Sequence, residues 1–315
     1  MKLRFLYALL GLVVPAGVLN AQVTEHSRDY EAFSGVEVSG GFTVEVVEGP
    51  AYSLSIAVDD MLHNFIQVDV EDRVLKVLLD EKTLTPEVRR HYRSRLTETP
   101  DFKATVTAPS ALRSFSLKGK AVLGRIEGKV FAPDSAKFYL ADDSRIENVT
   151  MSGSGAVSLR MEKRSHAVIR VEGGSFSAEL SGSSSLNLES ACEEVSLSLS
   201  ANSSCVTGGS SGVLSLSAKG TSRSILNGSA EEVRYTLSGS TDVNAENLQA
   251  VDARVNMSGF CTLTQSARGS VFLELSNGAK LTYKNSPVFY INSVRNSTVL
   301  RYYETEGNDS SRRTL

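Results

Sequence analysis

From Leu180 onward the chain repeats one short phrase, an aliphatic residue followed by Ser and then Gly, Ala or Asn. The instances are Leu180-Ser181-Gly182, Leu199-Ser200-Ala201, Leu216-Ser217-Ala218, Leu237-Ser238-Gly239, Met257-Ser258-Gly259 and Leu275-Ser276-Asn277, with a looser echo at Ile291-Asn292-Ser293. The spacing is uneven and averages roughly 18 residues. A unit of this size cannot bury its apolar face alone, but a stack of such units can. The repeat therefore predicts a solenoid.

The texture inside each unit says what kind. Val233, Tyr235 and Leu237 alternate with Arg234 and Thr236 before Ser238-Gly239-Ser240-Thr241 turns the chain. Alternation with period two, bounded by Gly, Ser and Asn, describes half-buried strands with aliphatic side chains inward. A unit of that length holds about three short strands and no helix. The expected fold is all-β, a single-stranded parallel β-solenoid. Phe115-Ser116-Leu117, Phe138-Tyr139-Leu140 and Val171-Glu172-Gly173-Gly174 extend the grammar backwards. The stretches Val36–Val46, Tyr52–Val58 and Ile66–Leu79 are longer alternating strands, read as paired strands that start the solenoid and cover its first rung.

The ends set the expected domain limits. Lys2 and Arg4 precede an uncharged run from Phe5 to Val18, followed by small residues to Ala21. This predicts a signal peptide over residues 1–21, since the run is short of the roughly 20 apolar residues that span a bilayer. A lead at 22–32, the solenoid at 33–302 and a disordered polar tail at 303–315 complete the division. Loss of Lys2 and Arg4 moves the formal charge from −3 to −5. That mild acidity argues against nucleic acid as a partner.

One segment breaks the pattern. Thr85-Pro86-Glu87 has the form of a helix start, N-cap then Pro at the first position, within a basic insertion at 81–101. It carries Arg89, Arg90, Arg93 and Arg95, the dense basic cluster of the exported chain. These four are candidate anion-binding residues; the plainer reading is a solvated insertion balanced by Glu81, Glu87, Glu98 and Asp101. Tyr302 and Tyr303 close an aromatic cluster with Tyr283, Phe289 and Tyr290. They are the other binding candidates, with closure of the last rung as the plainer role.

Cys192, Cys205 and Cys261 are odd in number for an exported protein. Cys205 and Cys261 lie three units apart, about 14 Å on stacked strands, too far to bridge. Cys192 and Cys205 can in principle meet across a bend, but the expectation is free, buried thiols. The carboxylate pairs Asp59-Asp60, Asp142-Asp143, Glu193-Glu194 and Glu231-Glu232 put neighbours on opposite faces of a strand. Only Asp142-Asp143 falls in a turn that exposes both. The four histidines share no spacing with acids or thiols. No catalytic residue, metal site or cofactor is expected.

The lead Phe33-Ser34-Gly35-Val36-Glu37-Val38-Ser39-Gly40-Gly41-Phe42-Thr43-Val44-Glu45-Val46, then Ile66 to Leu79, then Ser/Gly-rich rungs after an export signal resemble the auto-transporter adhesin head GIN family of Gram-negative bacteria. The resemblance covers roughly residues 33 to 300. It implies a right-handed parallel β-helix-like fold and a periplasmic, outer-membrane-associated or cell-surface location, and offers no catalytic residues to carry over. The expected function is an exported, non-enzymatic, adhesin-like or cell-envelope binding scaffold that uses the faces of the solenoid. Its expected partner is an envelope or extracellular polysaccharide, or a surface protein. The alternative is a polysaccharide-binding or polysaccharide-cleaving β-helix.

Overall fold

The structure, a computed structural model, describes residues 23–80, 82–95, 102–109, 112–126, 135–153 and 155–302. The expected signal peptide and tail lie outside these residues. Among the described residues strands dominate, with short helices at Asp60–His63 and Pro86–Arg95, and they wind into a β-solenoid of about 9 turns. The 23 strands of the described residues belong to one hydrogen-bonded sheet. In the middle of the stack Ser185–Leu199, Ser204–Ala218, Arg223–Gly239 and Asp242–Gly259 pair in parallel, each following the coil through its bends.

The register is more regular than the sequence phrase. Ser185, Ser204, Arg223, Asp242, Thr262, Lys280 and Thr298 are successive partners, so the step from turn to turn barely varies. Leu199 pairs with Ala218, which pairs with Leu237. Leu216-Ser217-Ala218 is thus out of step with its neighbours, and that corner reads Ala218-Lys219-Gly220. The echo at Ile291 is also displaced, because Leu275 pairs with Val294.

Each turn has two long sides and a short third one. The first corner carries left-handed backbone at Gly119, Asp142, Lys163, Gly182, Ala201, Gly220, Gly239, Gly259 and Asn277. Just beyond it the chain places Ser144, Ser165, Ser184, Ser203, Ser222 and Thr241 inside, all at most 1% exposed, and Cys261 and Ala279 extend the column. The Ser184 hydroxyl donates to the carbonyl of Ser181 at 2.9 Å, Ser203 to that of Ser200 at 2.8 Å, and Ser222 to that of Lys219 at 3.2 Å. The Cys261 thiol replaces the hydroxyl, 3.3 Å from the Ser258 carbonyl. At these four positions the inward hydroxyl or thiol gives a corner carbonyl a partner away from water, whereas the Ser144, Ser165 and Thr241 hydroxyls carry no hydrogen bond to a described residue.

The second corner is tighter. Gly209 and Gly228 stack there with φ of 90° and 100°. A Cβ on Gly209 would fall 1.9 Å from the Ser190 carbonyl oxygen, so backbone lies on backbone. At the third bend Glu193 and Glu194 are both exposed, a slip in the alternation that turns the coil into its second long side. Columns of aliphatic and aromatic side chains fill the interior, for example Phe138, Leu159, Ala178, Leu197, Leu216, Tyr235, Val255 and Leu273. The Tyr235 hydroxyl donates to Gln265 Oε1 across the interior, and both side chains are 1% exposed.

The start of the coil is covered as the sequence predicts. Ile66–Glu71 pairs antiparallel with Val74–Leu79, which joins Gly35–Gly40 in parallel. On the other long side Val23–Asp29 and Ser53–Asp59 form an antiparallel extension on Lys103–Ala108. The helix Pro86–Arg95 begins at the expected N-cap, with the Val88 amide donating to Thr85 Oγ1 at 3.3 Å, and Leu62, Leu84 and Val88 are buried at this end. The last turn is open by contrast: Val288 is 59% and Ile291 65% exposed. Among the described residues no helix is long and apolar enough to cross a membrane.

Candidate functional site: one long side of the coil

The long side that runs through Gly35–Gly40, Ser114–Gly119, Ser135–Leu140, Ala156–Met161, Ser175–Leu180 and residues 194–199, 213–218, 232–239 and 252–259 to Ser270–Ser276 and Val288–Val294 carries two outward columns. Period-two alternation makes them: every residue between two core residues must face water. The first column reads Ser158, Ser177, Ser196, Ser215, Arg234, Arg254, Phe272 and Tyr290 on successive turns. The second reads Tyr139, Arg160, Glu179, Ser198, Ser217, Thr236, Asn256 and Glu274.

Two depressions lie on this side. One, of about 490 Å³, spans Lys137, Tyr139, Ser158, Arg160, Ser177, Glu179, Ser196 and Ser198. The other, of about 540 Å³, spans Arg234, Thr236, Arg254, Asn256, Phe272, Glu274, Tyr290 and Asn292. Between them stand Ser215 and Ser217 in the two columns, next to Ser196 and Ser198 of the first depression, so the floor that joins the depressions is level and hydroxylated. With turns about 4.8 Å apart, Arg160 and Asn256 are five turns, roughly 24 Å, from one another.

Long side chains bound the floor, and three arginines among them are held in ion pairs. At one end Arg160 pairs with Glu162 at 2.9 Å, and the Tyr139 hydroxyl donates to Glu162 Oε2 at 3.0 Å. Burial first, then this bond to a carboxylate, raises the Tyr139 phenol above its ordinary range. At the other end Glu232 accepts two hydrogen bonds from Arg234, at 2.9 and 3.0 Å, and one from Arg254 Nε at 2.7 Å. The Arg234 guanidinium first, and Arg254 second, hold the Glu232 carboxyl below the usual carboxylate range. Arg254 Cζ lies over the Phe272 ring, 4.9 Å from its centroid, and Tyr290 stacks on Phe272 at 4.9 Å and 14°. A guanidinium and two rings thus form one stack at the spacing of the strands.

The short third side holds a further depression, of about 890 Å³, with a floor of small residues such as Ala191, Ser210, Ser211 and Ser229, and with Glu193, Glu231 and Arg268 also along it. Among the described residues no three His, Cys, Asp or Glu side chains are grouped to hold a metal ion. Cys192, Cys205 and Cys261 are free and buried.

The residues singled out from sequence do not come together. Arg89 faces inward on its own loop, its Nη2 donating to the carbonyls of Lys82 and Leu84, each at 3.1 Å. Arg90 is exposed on the helix. The side chains of Arg93 and Arg95 lie outside the described residues, as does Tyr303. Tyr302 sits at the far end of the coil, its ring 4.4 Å from Lys284 Nζ. The aromatic cluster divides: Phe289 turns inward against Tyr283, edge to face at 4.8 Å, while Tyr290 turns outward onto Phe272. The Arg234–Arg254–Phe272–Tyr290 column was missed. Its members recur once per turn, but they emerge only when the units are aligned on the corner rather than on Leu216.

Solved structures that the chain matches include a "putative adhesin from Parabacteroides distasonis ATCC 8503", 14% identical, covering 90% of this chain and 98% of that one with a TM-score of 0.47. A "putative adhesin from Parabacteroides merdae ATCC 43184" is 14% identical over the same shares, with a TM-score of 0.41. A "Putative lipid binding protein from Parabacteroides distasonis ATCC 8503" is 12% identical over the same shares, with a TM-score of 0.42. No curated protein matches the sequence. A family model described as "Putative auto-transporter adhesin, head GIN domain" matches residues 32–287, and the chain belongs to that family.

Proposed function

We propose that the protein is an exported binding scaffold of the cell envelope, adhesin-like and without catalytic activity, whose working surface is the long side with the serine floor. The observation that carries this reading is the continuity of that side. Two depressions lie on the same pair of columns, and only serine side chains stand between them. An extended polymer lying along the coil axis meets the same chemistry at each turn, about 4.8 Å apart. Binding rather than turnover is supported by the acids of this side: Glu162 and Glu232 are each paired with a cation, and Glu179 and Glu274 stand five turns, roughly 24 Å, apart, too far to act together on one bond.

Blocking the floor tests the reading. Ser198→Arg and Ser217→Arg place long side chains on outward positions of the floor, and Asn187→Arg does the same on the other long side. Affinity electrophoresis of the purified protein through gels containing soluble polysaccharides should show retardation that both floor variants weaken and Asn187→Arg leaves intact. Equal effects from all three variants would contradict the assignment of the working side.

A further inference from the structure

The chemistry of the Arg254 end selects among polymers. It rests on the reading above, that an extended chain lies on this side. Three observations bear on the class of chain.

The first is charge. Arg234 and Arg254 share Glu232 between them, Glu274 stands one turn beyond Asn256, and Asp252 follows Glu232 in register. Two cations therefore face three carboxylates, and there is no surplus positive charge to hold an acidic chain. An anionic group would also have to compete with Glu232 for the Arg234 guanidinium, whose Nε and Nη2 both bond it.

The second is the mix of hydrogen-bonding groups. Arg254 commits only its Nε, so its two Nη groups have no protein acceptor among the described residues. The Asn256 amide and the Glu274 carboxylate likewise carry no hydrogen bond to a described residue, and both are exposed. Donors on the turn of Arg254 and Asn256 thus stand beside the Glu274 acceptor on the next turn. A carboxylate or sulfate only accepts, whereas a hydroxyl both donates and accepts.

The third is the orientation of the rings. Arg254 covers one face of Phe272 and Tyr290 the other. Beside the floor the stack offers ring edges, which carry the positive part of the aromatic quadrupole, and only Tyr290, the last ring, has a face with no described strand beyond it. Edges attract oxygen atoms, of a hydroxyl or a carboxylate alike, and the three carboxylates around them are what disfavours the carboxylate. Acceptance by Glu274 and donation from Arg254, beside ring edges, match a ligand rich in neutral hydroxyl groups.

We propose that residues Arg254, Asn256, Phe272, Glu274 and Tyr290 form a subsite for an uncharged, polyhydroxylated chain, a neutral polysaccharide and not an acidic one.

The test compares neutral chains (mannan, xylan, dextran and β-glucan) with acidic ones (polygalacturonate and hyaluronan) by affinity electrophoresis and titration calorimetry, at low and at high sodium chloride. The expected result is retention by at least one neutral chain with an affinity that hardly moves with salt, since no net charge is screened. Asn256→Ala and Glu274→Gln should each weaken it about tenfold, the scale of one or two lost hydrogen bonds. Retention by acidic chains only, lost at high salt and strengthened by Glu274→Gln, would overturn the neutral assignment and leave the face assignment standing. Retention by a neutral chain that Ser198→Arg blocks, but that Asn256→Ala and Glu274→Gln leave unchanged, would overturn this subsite alone. Failure of every chain to bind would overturn both readings.

Discussion

Asp142 and Lys163 occupy the same corner position on adjacent turns, both in left-handed backbone at φ of 64° and 62°, and their side chains form an ion pair. Asp143 and Arg164 repeat the arrangement one residue on, in a forked pair at 2.6 and 2.8 Å. The one acidic pair that the sequence places in an exposed turn is therefore spent on joining turns. Asp142 also accepts a hydrogen bond from the amide of Gly119 below it, at 3.2 Å.

Acid should loosen this corner. The Lys163 bond holds the Asp142 carboxyl below its ordinary range, and the Arg164 fork does the same for Asp143. A carboxyl whose folded pKa is depressed contributes stability that is present above its unfolded value, about 3.9, and is lost as pH falls through the folded value. The melting temperature should hold steady from pH 7 to pH 5 and fall below about pH 4. A Lys163→Met, Arg164→Met protein should show a shallower fall over the same window by circular dichroism. The pairs are exposed, so the difference at neutral pH should be small.

Gly209 should not tolerate a side chain. Its φ of 90° disfavours any L residue, and a methyl carbon there would sit 1.9 Å from the Ser190 oxygen. Gly209→Ala should cost about 1–3 kcal/mol or more. Gly124→Ala, where the nearest atom is a Thr43 methyl at 3.5 Å, should be close to neutral. Denaturant melts of the two variants side by side check this.

The buried Tyr235–Gln265 contact should behave as a pair. Burial pushes the Tyr235 phenol up, so it stays a neutral donor. Tyr235→Phe removes that donor from Gln265 Oε1, and should cost about 1–3 kcal/mol. Tyr235→Phe combined with Gln265→Leu should recover part of the loss, because Gln265 Oε1 is then no longer buried without a donor, although the Gln265 Nε2 bond to the Ser266 carbonyl at 2.8 Å goes with it. Urea melts that show simple additivity would argue against coupling.

Thiol titration should report three free cysteines. Cys205 is fully enclosed and its thiol is pushed up to about 12 by burial, while Cys261 is 0% and Cys192 6% exposed. Ellman's reagent should find no fast-reacting thiol in the folded protein and three in guanidinium chloride. Fewer than three after unfolding would mean that a bridge has formed.

The fold was largely legible because period and alternation are local properties of a chain. Leu, Val and Phe at every second place, with a corner at a near-constant interval, leave few alternatives to a stacked coil, and Thr85-Pro86 marks the helix at its observed start. The buried hydroxyl column was legible in principle but was masked: Ser is so frequent on the outside that Ser184, Ser203 and Ser222 do not stand out. The candidate site was not read at all. Arg234, Arg254, Phe272 and Tyr290 are each a full turn apart, and a repeat of changing length hides which of them share a column. The basic helix drew attention because its charges are adjacent in sequence, although Arg89 is used to hold its own loop.

The central claim is that the serine-floored side is the one that binds. Single cysteines at outward positions test it most directly: Ser198→Cys on the floor and Asn187→Cys on the other long side, labelled with a maleimide in the presence and absence of mannan, xylan, dextran or β-glucan. The account predicts that at least one of these chains slows labelling of the Ser198→Cys protein and leaves the Asn187→Cys protein unaffected. Protection of the Asn187→Cys protein, with the Ser198→Cys protein labelled at its free rate, would contradict it.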